Sequence, residues 1–288
     1  MWLAHGEEGR SLVSASQDLL KTFLEPARLL ALQASKVVMS FLHQPLDKKM
    51  KSDKSWVTEA DLQSDKIIKE GLLKKFPTHG ILTEESGVSG KEGSDWLWLI
   101  DPLDGTKAFA KGIPGFSVML GLLHEGKPKL GVVVDPLLGL IYEAVYQEGA
   151  YLTEKGQRSR LQVSKRSDPK EMPLVVSTGF PEEKMEGILK KYPFLLCPPI
   201  NSVGIKVGLV VRQEADVYMN HHPVHYWDTA APQIILEEAG GILTRIDGKS
   251  LDYNLQRGTS HGALTLVSNG TRHAELASFL SHYPSSFK

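Results

Sequence analysis

The stretch WLWLIDPLDGTKAF, residues 96–109, joins an apolar run to a sharp turn that carries two carboxylates. The apolar residues 96–100 predict a buried strand that ends at Asp101. Pro102 fixes one backbone dihedral angle, and Gly105 permits a left-handed conformation. We therefore expect a tight and rigid turn directly after the strand.

Two carboxylates in so tight a turn suggest a metal site. Asp101, Asp104 and the carbonyl of Leu103 could converge on one point, and hard oxygen ligands of this kind suit Mg²⁺. The backbone N–H groups of Gly105 and Thr106 open the following helix and could hold a phosphate. A plain structural role stays open, in which Asp104 caps that helix and Asp101 is a solvated strand end.

Two other stretches place polar groups at the ends of predicted elements. Glu84, in the segment TEES, directly follows an apolar run. It becomes a candidate ligand only if neighbouring strands of one sheet bring it close to Asp101, and it otherwise belongs to a solvated loop. Thr58 and Asp61, in the segment VTEAD, precede a helix predicted over residues 60–75, and either could cap that helix.

Asp228 begins a further candidate stretch, WDTAAPQIILEEAGG. It lies where it could cap a helix that ends at Gly240 and Gly241, or bind a metal at the positive end of that helix. The preceding segment HHPVH, residues 221–225, lacks a further ligand at zinc-site spacing. We interpret it as a polar loop or as the edge of a substrate site.

The hydrophobic pattern changes twice along the chain. Residues 11–43 predict two helices divided at Pro26, followed by the helix over 60–75. Short apolar runs then predict a mainly antiparallel sheet, with a hairpin turn at 125–129. Beyond about residue 165, strands alternate with helices, which is typical of an α/β arrangement. We predict an N-terminal helical extension (1–25), an α+β domain with most metal ligands (26–160) and an α/β domain that completes the site (161–288).

Composition narrows the class of protein. The chain has 288 residues, a formal net charge of −1 and one cysteine, Cys197, which lies in an apolar context typical of a core thiol. Near-neutral charge gives no reason to expect a nucleic acid polymer as partner. No apolar run reaches the length of a membrane span, and residues 1–12 lack the features of a signal peptide, so we expect a cytoplasmic protein without a membrane partner.

Taken together and in order, VTEAD, TEES, WLIDPLDGTKAF and WDTAAPQIILEEAGG resemble one family. It comprises the lithium-sensitive, Mg²⁺-dependent phosphomonoesterases that include inositol monophosphatase, 3′(2′),5′-bisphosphate nucleotidase and inositol polyphosphate 1-phosphatase. The chain also lacks the P-loop, dinucleotide-binding and nucleophile-elbow motifs. The resemblance implies a layered α/β/α/β/α sandwich with the site between its two halves.

The resemblance also implies a role for each candidate residue. Two or three Mg²⁺ ions would be held by Glu84, Asp101, Asp104, Asp228 and the carbonyl of Leu103. Asp61 would hold a further metal through water and would accept a hydrogen bond from Thr106. The catalytic set implied is therefore Asp61, Thr106 and Glu84, with the Asp61–Thr106 pair helping to activate the attacking water.

Within the family, GTKAF and WDTAAP are similar to the bisphosphate nucleotidase branch. Lys107 could add a positive charge for a second phosphate, or it could be a surface lysine. Ser202 and Lys206, in the segment NSVGIK, are candidates for binding the rest of a nucleotide. The chain departs from bacterial nucleotidases at Asn220 and Tyr226, where arginine and glutamate are usual.

The resemblance implies removal of the 3′-phosphate from adenosine 3′,5′-bisphosphate, giving AMP and phosphate, as in sulfur assimilation. A small phosphorylated substrate is the expected partner, bound by a monomer or homodimer. The alternative is an inositol-1-phosphate phosphatase. A catalytically silent protein that binds a phosphorylated ligand is a remote alternative, because such a protein should have lost a metal carboxylate and none is missing here.

Overall fold

The computed structural model describes residues 5–44, 49–50 and 56–282, with side chains described from residue 17 onward. The first element is one helix, α1 (His5–Phe41), which continues through Pro26. The predicted division into two helices is therefore wrong, and the predicted boundary after residue 25 falls inside a helix. Residues 1–4 of the predicted extension lie outside the described residues.

Packing explains why α1 tolerates its internal proline. A proline inside a helix costs about 3 kcal/mol relative to alanine. In α1, buried apolar side chains on both sides of Pro26 pack against the same core, which offsets this cost. The buried positions of this face are Leu20, Phe23, Ala27, Ala31, Ala34 and Val38.

After α1 the chain forms a short ribbon, a helix and a large sheet. The ribbon pairs β1 (Lys49–Met50) with β2 (Trp56–Val57), and the helix is α2 (Glu59–Lys75), which confirms the prediction over 60–75. The strands of the sheet are β3 (Gly80–Thr83), β4 (Gly87–Gly90), β5 (Trp96–Asp104), β6 (Ser117–His124), β7 (Lys127–Asp135), β8 (Leu140–Val145), β9 (Gly149–Glu154) and β10 (Gln157–Arg160). A one-turn helix, α3 (Thr106–Phe109), follows β5.

The eight strands run in the order β10-β9-β8-β7-β6-β5-β3-β4. Every neighbouring pair is antiparallel except β3 and β5, which are parallel. The predicted, mainly antiparallel sheet and the hairpin turn between β6 and β7 are confirmed. The short strands β4, β9 and β10 were not predicted, because their residues show no apolar run.

The second half of the chain forms a five-stranded sheet with helices on both faces. Its elements are β11 (Pro173–Val176), α4 (Glu182–Lys191), β12 (Leu195–Leu196), α5 (Val203–Val211), β13 (Val217–Met219), α6 (Tyr226–Glu238), β14 (Ile242–Arg245), β15 (Thr265–Ser268) and α7 (His273–His282). The order is β12-β11-β13-β15-β14, with β15 antiparallel to both of its neighbours. The predicted alternation of strands and helices is confirmed, while the predicted domain boundary near residue 160 stays a prediction.

The elements stack in five layers. Helices α1 and α2 pack on one face of the large sheet, and α5 and α6 lie between the two sheets. Helices α4 and α7 cover the outer face of the small sheet. The α/β/α/β/α sandwich implied by the resemblance is confirmed.

Two glycines allow α6 to lie directly on the large sheet. A Cβ atom on Gly121 of β6 would lie 2.7 Å from the Cβ of Ala230. A Cβ atom on Gly131 of β7 would lie 2.6 Å from the carbonyl oxygen of Ala231. Both separations are too short for real contacts, so larger residues here would displace the helix that carries Asp228.

Among the helices of the described residues, none combines the length and apolar character needed to cross a lipid bilayer.

Candidate metal and phosphate site

The first two carboxylates come together because β3 and β5 are parallel neighbours. Thr83 lies opposite Ile100, and the N–H of Glu84 donates to the carbonyl of Ile100 at 3.1 Å. Glu84 and Asp101 therefore follow these positions at the same edge of the sheet. Glu84 therefore lies near Asp101, as its role as a candidate ligand requires.

The turn that carries the next ligands is built differently from the prediction. Strand β5 does not end at Asp101 but continues to Asp104. Asp101 pairs with Met119 and Asp104 with Ser117, so β5 has one extra residue and forms a bulge. The bulge bends the strand while keeping its hydrogen bonds with β6, which explains why a proline does not end the strand.

Gly105 closes this turn in a conformation that favours glycine. Its φ angle is 88°, in the left-handed region. A Cβ atom there would lie 2.3 Å from the carbonyl oxygen of Gly115. Both the conformation and the close approach therefore require glycine at the start of α3.

Asp104 is held by residues that lie far away in the sequence. Its Oδ2 accepts hydrogen bonds from the hydroxyl of Ser202 at 2.6 Å and from the N–H of Gly204 at 3.0 Å. Ser202 also caps α5 by accepting from the N–H of Ile205 at 3.0 Å. The bonds recorded for Asp104 in the described part of the chain all reach Oδ2, so Oδ1 is the oxygen available to a ligand.

Asp228 lies in the first turn of α6 rather than at the predicted cap position. The helix begins at Tyr226, and the cap residue is His225. The N–H of His225 donates to Oδ2 of Asp228 at 2.6 Å. Asp228 is therefore not the cap residue itself but the third residue of a capping box, and its carboxylate lies at the positive end of the helix.

Asp61 and Thr106 form the hydrogen bond that the resemblance implies. The Thr106 hydroxyl lies 2.9 Å from Oδ1 of Asp61 and 3.0 Å from the carbonyl oxygen of Leu103. Oδ2 of Asp61 accepts from both the N–H and the hydroxyl of Thr58, at 2.8 and 2.6 Å. Asp61 therefore caps α2 with one oxygen and contacts Thr106 with the other.

One cavity of about 360 Å³ collects most of the predicted residues. It is lined by Glu84, Asp101, Leu103, Asp104, Gly105, Thr106, Lys107 and Asp228, which were all candidates. We call it the carboxylate cavity. Lys107 is exposed at this cavity, so it is both a surface lysine and a lining residue.

The carboxylate cavity also has a wall that sequence reasoning did not assign. Its further lining residues are Trp56, Ser177, Thr178, Asn201, His221 and His222. The interpretation of HHPVH as a substrate edge pointed to the two histidines. Ser177 and Thr178 directly follow β11, and polar residues at the end of an apolar strand were the signal for them.

Ser202 and Lys206 do not line the carboxylate cavity. Both side chains are fully buried, and their predicted contact with a substrate stays a prediction. The ammonium of Lys206 donates to the hydroxyl of Ser177 at 2.7 Å and to the carbonyl of Asn201 at 3.1 Å. Burial lowers the pKa of Lys206 to about 8 even though Asp104 and Asp228 oppose this shift.

The two residues that depart from the nucleotidase branch are also buried. Oδ1 of Asn220 accepts from the N–H of Thr265 at 2.8 Å. The hydroxyl of Tyr226 donates to the carbonyl of Asn254 at 3.1 Å. Neither position brings a charge to the cavity.

Burial and mutual repulsion dominate the electrostatics of the carboxylates. Burial and the charges of Glu84 and Asp104 raise the pKa of Asp101 well above its usual value. Burial and the charge of Asp104 do the same for the pKa of Asp228. Burial also raises the pKa of Asp104, although Ser202, Gly204 and Lys206 oppose it.

Such a cluster gains stability from a cation, since like charges in one site repel one another. The donor set, four carboxylates and one carbonyl, consists of the hard oxygen atoms that Mg²⁺ prefers. Among the described residues, no group of three or more acidic, histidine or cysteine side chains is already arranged as a metal-binding site. The donors fit Mg²⁺ in kind, and all five belong to residues that line one cavity.

Comparisons with known proteins identify the family of the chain. A sequence profile of the inositol monophosphatase family matches residues 19–281. The 3′(2′),5′-bisphosphate nucleotidase CysQ of Aggregatibacter actinomycetemcomitans is 35% identical over 231 residues, which cover 78% of this chain and 85% of that protein. The Nus factor SuhB of Pasteurella multocida is 34% identical, over 69% of this chain and 75% of that protein.

Solved structures give the same result. The inositol monophosphatase of Anabaena (Nostoc) is 30% identical and superposes with a TM-score of 0.74, over 92% of this chain and 97% of that one. The match of the profile spans nearly the whole chain, and the alignments with the two relatives cover most of those proteins' own length. The chain therefore belongs to the inositol monophosphatase family.

Proposed function

We propose that this chain, a phosphatase by its family, removes the 3′-phosphate from adenosine 3′,5′-bisphosphate in a Mg²⁺-dependent reaction. The observation that carries the proposal is the carboxylate cavity, where four carboxylates and the carbonyl of Leu103 surround one space beside the Asp61–Thr106 pair. The products are AMP and inorganic phosphate.

The metal ions would be held by Glu84, Asp101, Asp104, Asp228 and the carbonyl of Leu103. When bound, Mg²⁺ supplies positive charge for the phosphate oxygens and lowers the pKa of a bound water. Gly105 and Thr106 line the same space, and their N–H groups would donate to the phosphate.

The Asp61–Thr106 pair would prepare the attacking water. Thr106 donates to Asp61, so its oxygen is left as an acceptor that can orient the hydrogen of a water molecule. Three hydrogen bonds to Asp61 favour its charged form and oppose the burial that raises its pKa. Asp61 can then accept the proton that passes through Thr106 as the water attacks phosphorus.

Substrate choice within the family rests on two observations. CysQ nucleotidases are among the most similar relatives, and Lys107 adds an exposed positive charge to the cavity. Attraction by Lys107 grows with substrate charge, which favours a bisphosphate over a monophosphate.

Inositol 1-phosphate is the second candidate substrate. It is favoured by the similarity to the Anabaena enzyme and by the uncharged, buried side chains of Asn220 and Tyr226. A smaller, singly phosphorylated substrate needs no further cation in the cavity.

Phosphate release in Mg²⁺ from adenosine 3′,5′-bisphosphate and from inositol 1-phosphate tests the proposal. We expect a higher kcat/KM for the bisphosphate, and Lys107→Met should lower it more for the bisphosphate than for the monophosphate. Lys111→Met is the matched control, because Lys111 is an exposed lysine of the same segment that does not line the cavity. A higher kcat/KM for inositol 1-phosphate would replace the nucleotidase proposal by the second candidate.

A further inference from the structure

A second cavity, of about 490 Å³, shares His221 with the carboxylate cavity. Its walls combine the apolar side chains of Ile246, Leu264 and Leu280 with the polar groups of Lys184, His221 and Arg245. We call it the Arg245 cavity. An apolar pocket of this size with a few polar groups is typical of a site for a small organic molecule.

The two cavities follow one edge of the small sheet. Strands β11, β13 and β14 run in the same direction, because β13 is parallel to β11 and β15 is antiparallel to both β13 and β14. Ser177 follows β11 in the carboxylate cavity, His221 follows β13 where the cavities meet, and Arg245 ends β14 in the second cavity. Three strand spacings separate β11 from β14, so this edge is about 14 Å long. Ligands of open α/β sheets bind at such carboxyl edges.

Two residues that line the Arg245 cavity carry buried polar atoms that make no hydrogen bond. Among the described residues, Nδ1 of His221 and Nε of Arg245 are buried without a hydrogen bond. Nε of Arg245 lies 3.3 Å from Oδ1 of Asp247, but the pair is not aligned as a hydrogen bond. Buried polar atoms without hydrogen bonds are rare and costly, so a polar ligand beside these residues would be stabilised by satisfying them.

Charge and shape define the ligand further. Lys184 and Arg245 bring two positive charges to the cavity, and Asp247, whose carboxylate also pairs with Lys249 at 3.4 Å, brings one negative charge. The net positive charge favours an anionic group. The ring of His221 packs edge-on against Phe180, with ring centroids 5.4 Å apart, and is thereby fixed as a flat wall beside the apolar side chains. A flat ring with an attached anion fits these features.

We propose that the Arg245 cavity binds the adenine and the 5′-phosphate of the nucleotide whose 3′-phosphate lies in the carboxylate cavity. This inference rests on the proposed function, since it locates the part of the substrate that does not react. The 5′-phosphate accepts hydrogen bonds from Arg245 and Lys184, and the base lies against the apolar wall. His221, between the two cavities, contacts the ribose and base.

AMP is the probe that tests this assignment, because it carries the base and the 5′-phosphate but lacks the reacting 3′-phosphate. Isothermal titration should show AMP binding to the wild type. In Arg245→Met the dissociation constant should rise about tenfold or more, the effect expected for losing a hydrogen bond between charged groups. Lys184→Met should weaken binding in the same direction, which gives a second measurement if Arg245→Met does not fold.

Lys249→Met is the matched control. Lys249 contacts the same carboxylate, Asp247, but does not line the cavity, so AMP affinity should not change. In turnover of adenosine 3′,5′-bisphosphate, the loss in Arg245→Met should appear in KM. A merely structural role for Arg245 would lower the melting temperature and leave AMP affinity unchanged.

The outcomes separate this inference from the function on which it rests. Equal AMP affinity in the wild type, Arg245→Met and Lys184→Met would overturn the inference, while bisphosphate hydrolysis by the wild type would still support the proposed function. A wild type that releases no phosphate from adenosine 3′,5′-bisphosphate would overturn the proposed function itself, and this inference with it.

Discussion

Thr106→Val removes one hydroxyl from the centre of the candidate site and changes its shape little. The hydroxyl lies 2.9 Å from Oδ1 of Asp61, a carboxylate that is only 1% exposed. The variant leaves Oδ2 of Asp61 bonded to the N–H and hydroxyl of Thr58. We therefore expect Asp61 to stay in place but to lose its connection to the attacking water.

The geometry sets the size of the effect. A hydrogen bond to a charged group contributes about 1.5–3 kcal/mol, so the free energy of unfolding should fall by about that much or less. Loss of a positioned general base costs about 10²–10⁴ in rate. We expect kcat to fall at least about 100-fold, with a small change in KM. Because the lost hydrogen bond lowers the pKa of Asp61, its removal should also shift the acid limb of the kcat profile to higher pH.

Thr58→Val is the matched control, because it deletes a hydroxyl bond to the same carboxylate. Thr58 is buried and does not line the carboxylate cavity, and its backbone N–H still holds Asp61. Steady-state phosphate release and urea unfolding of both variants should show similar losses of stability but a much larger loss of kcat in Thr106→Val. Equal losses of kcat in the two variants would refute a separate role for Thr106 in catalysis.

Three further predictions concern stability. Asp101 and Asp228 have raised pKa values in the folded protein. The folded protein therefore retains protons above pH ~4 that the unfolded chain has lost. As a result, the free energy of unfolding of the metal-free protein falls as the pH rises above ~4. Calorimetry should then show a larger Mg²⁺-induced rise in melting temperature at pH 8 than at pH 5.5, and equal rises would contradict the assignment. Gly121→Ala should lower the free energy of unfolding by about 1–3 kcal/mol and weaken Mg²⁺ binding, because α6 must move away from the sheet. Urea unfolding and Mg²⁺ titration measure the two effects, and a variant as stable as the wild type would be inconsistent with this packing. Pro26→Ala should raise the free energy of unfolding by about 1–3 kcal/mol, because a good helix former replaces an internal proline of α1. If urea unfolding gave a free energy below that of the wild type, α1 would not be one continuous helix.

Local patterns in the sequence predicted most of the elements and the carboxylates. The helix over 60–75 follows from periodicity, which reflects burial along one face, whereas the strands around residues 80–83 and 130–134 follow from short apolar runs, since these residues are buried throughout. The proximity of Glu84 to Asp101 stayed conditional, because the parallel pairing of β3 with β5 was not predicted within a mainly antiparallel sheet.

The partners of those carboxylates could not be derived in this way. Ser202 and Gly204 lie 98 and 100 residues from Asp104, and their hydrogen bonds depend on how α5 packs against the large sheet. The burial of Lys206 also depends on how α5 packs, and it could not be predicted because a lysine in a helix usually reaches solvent. The continuity of α1 through Pro26 was missed because tertiary packing outweighed the local helix-breaking preference.

The most direct test of the account is phosphate release by Asp101→Asn in saturating Mg²⁺. The substitution removes the charge of a carboxylate that is 2% exposed but keeps its volume, and the amide oxygen can still accept from the N–H of Leu103. Circular dichroism should show a folded protein, because the variant removes one of several repelling charges. We expect turnover to fall by at least about 100-fold, because losing an outer hydrogen-bond partner of a metal ligand alone costs about 10- to 100-fold. Near-normal turnover by the folded variant would contradict the claim that this carboxylate holds the catalytic metal.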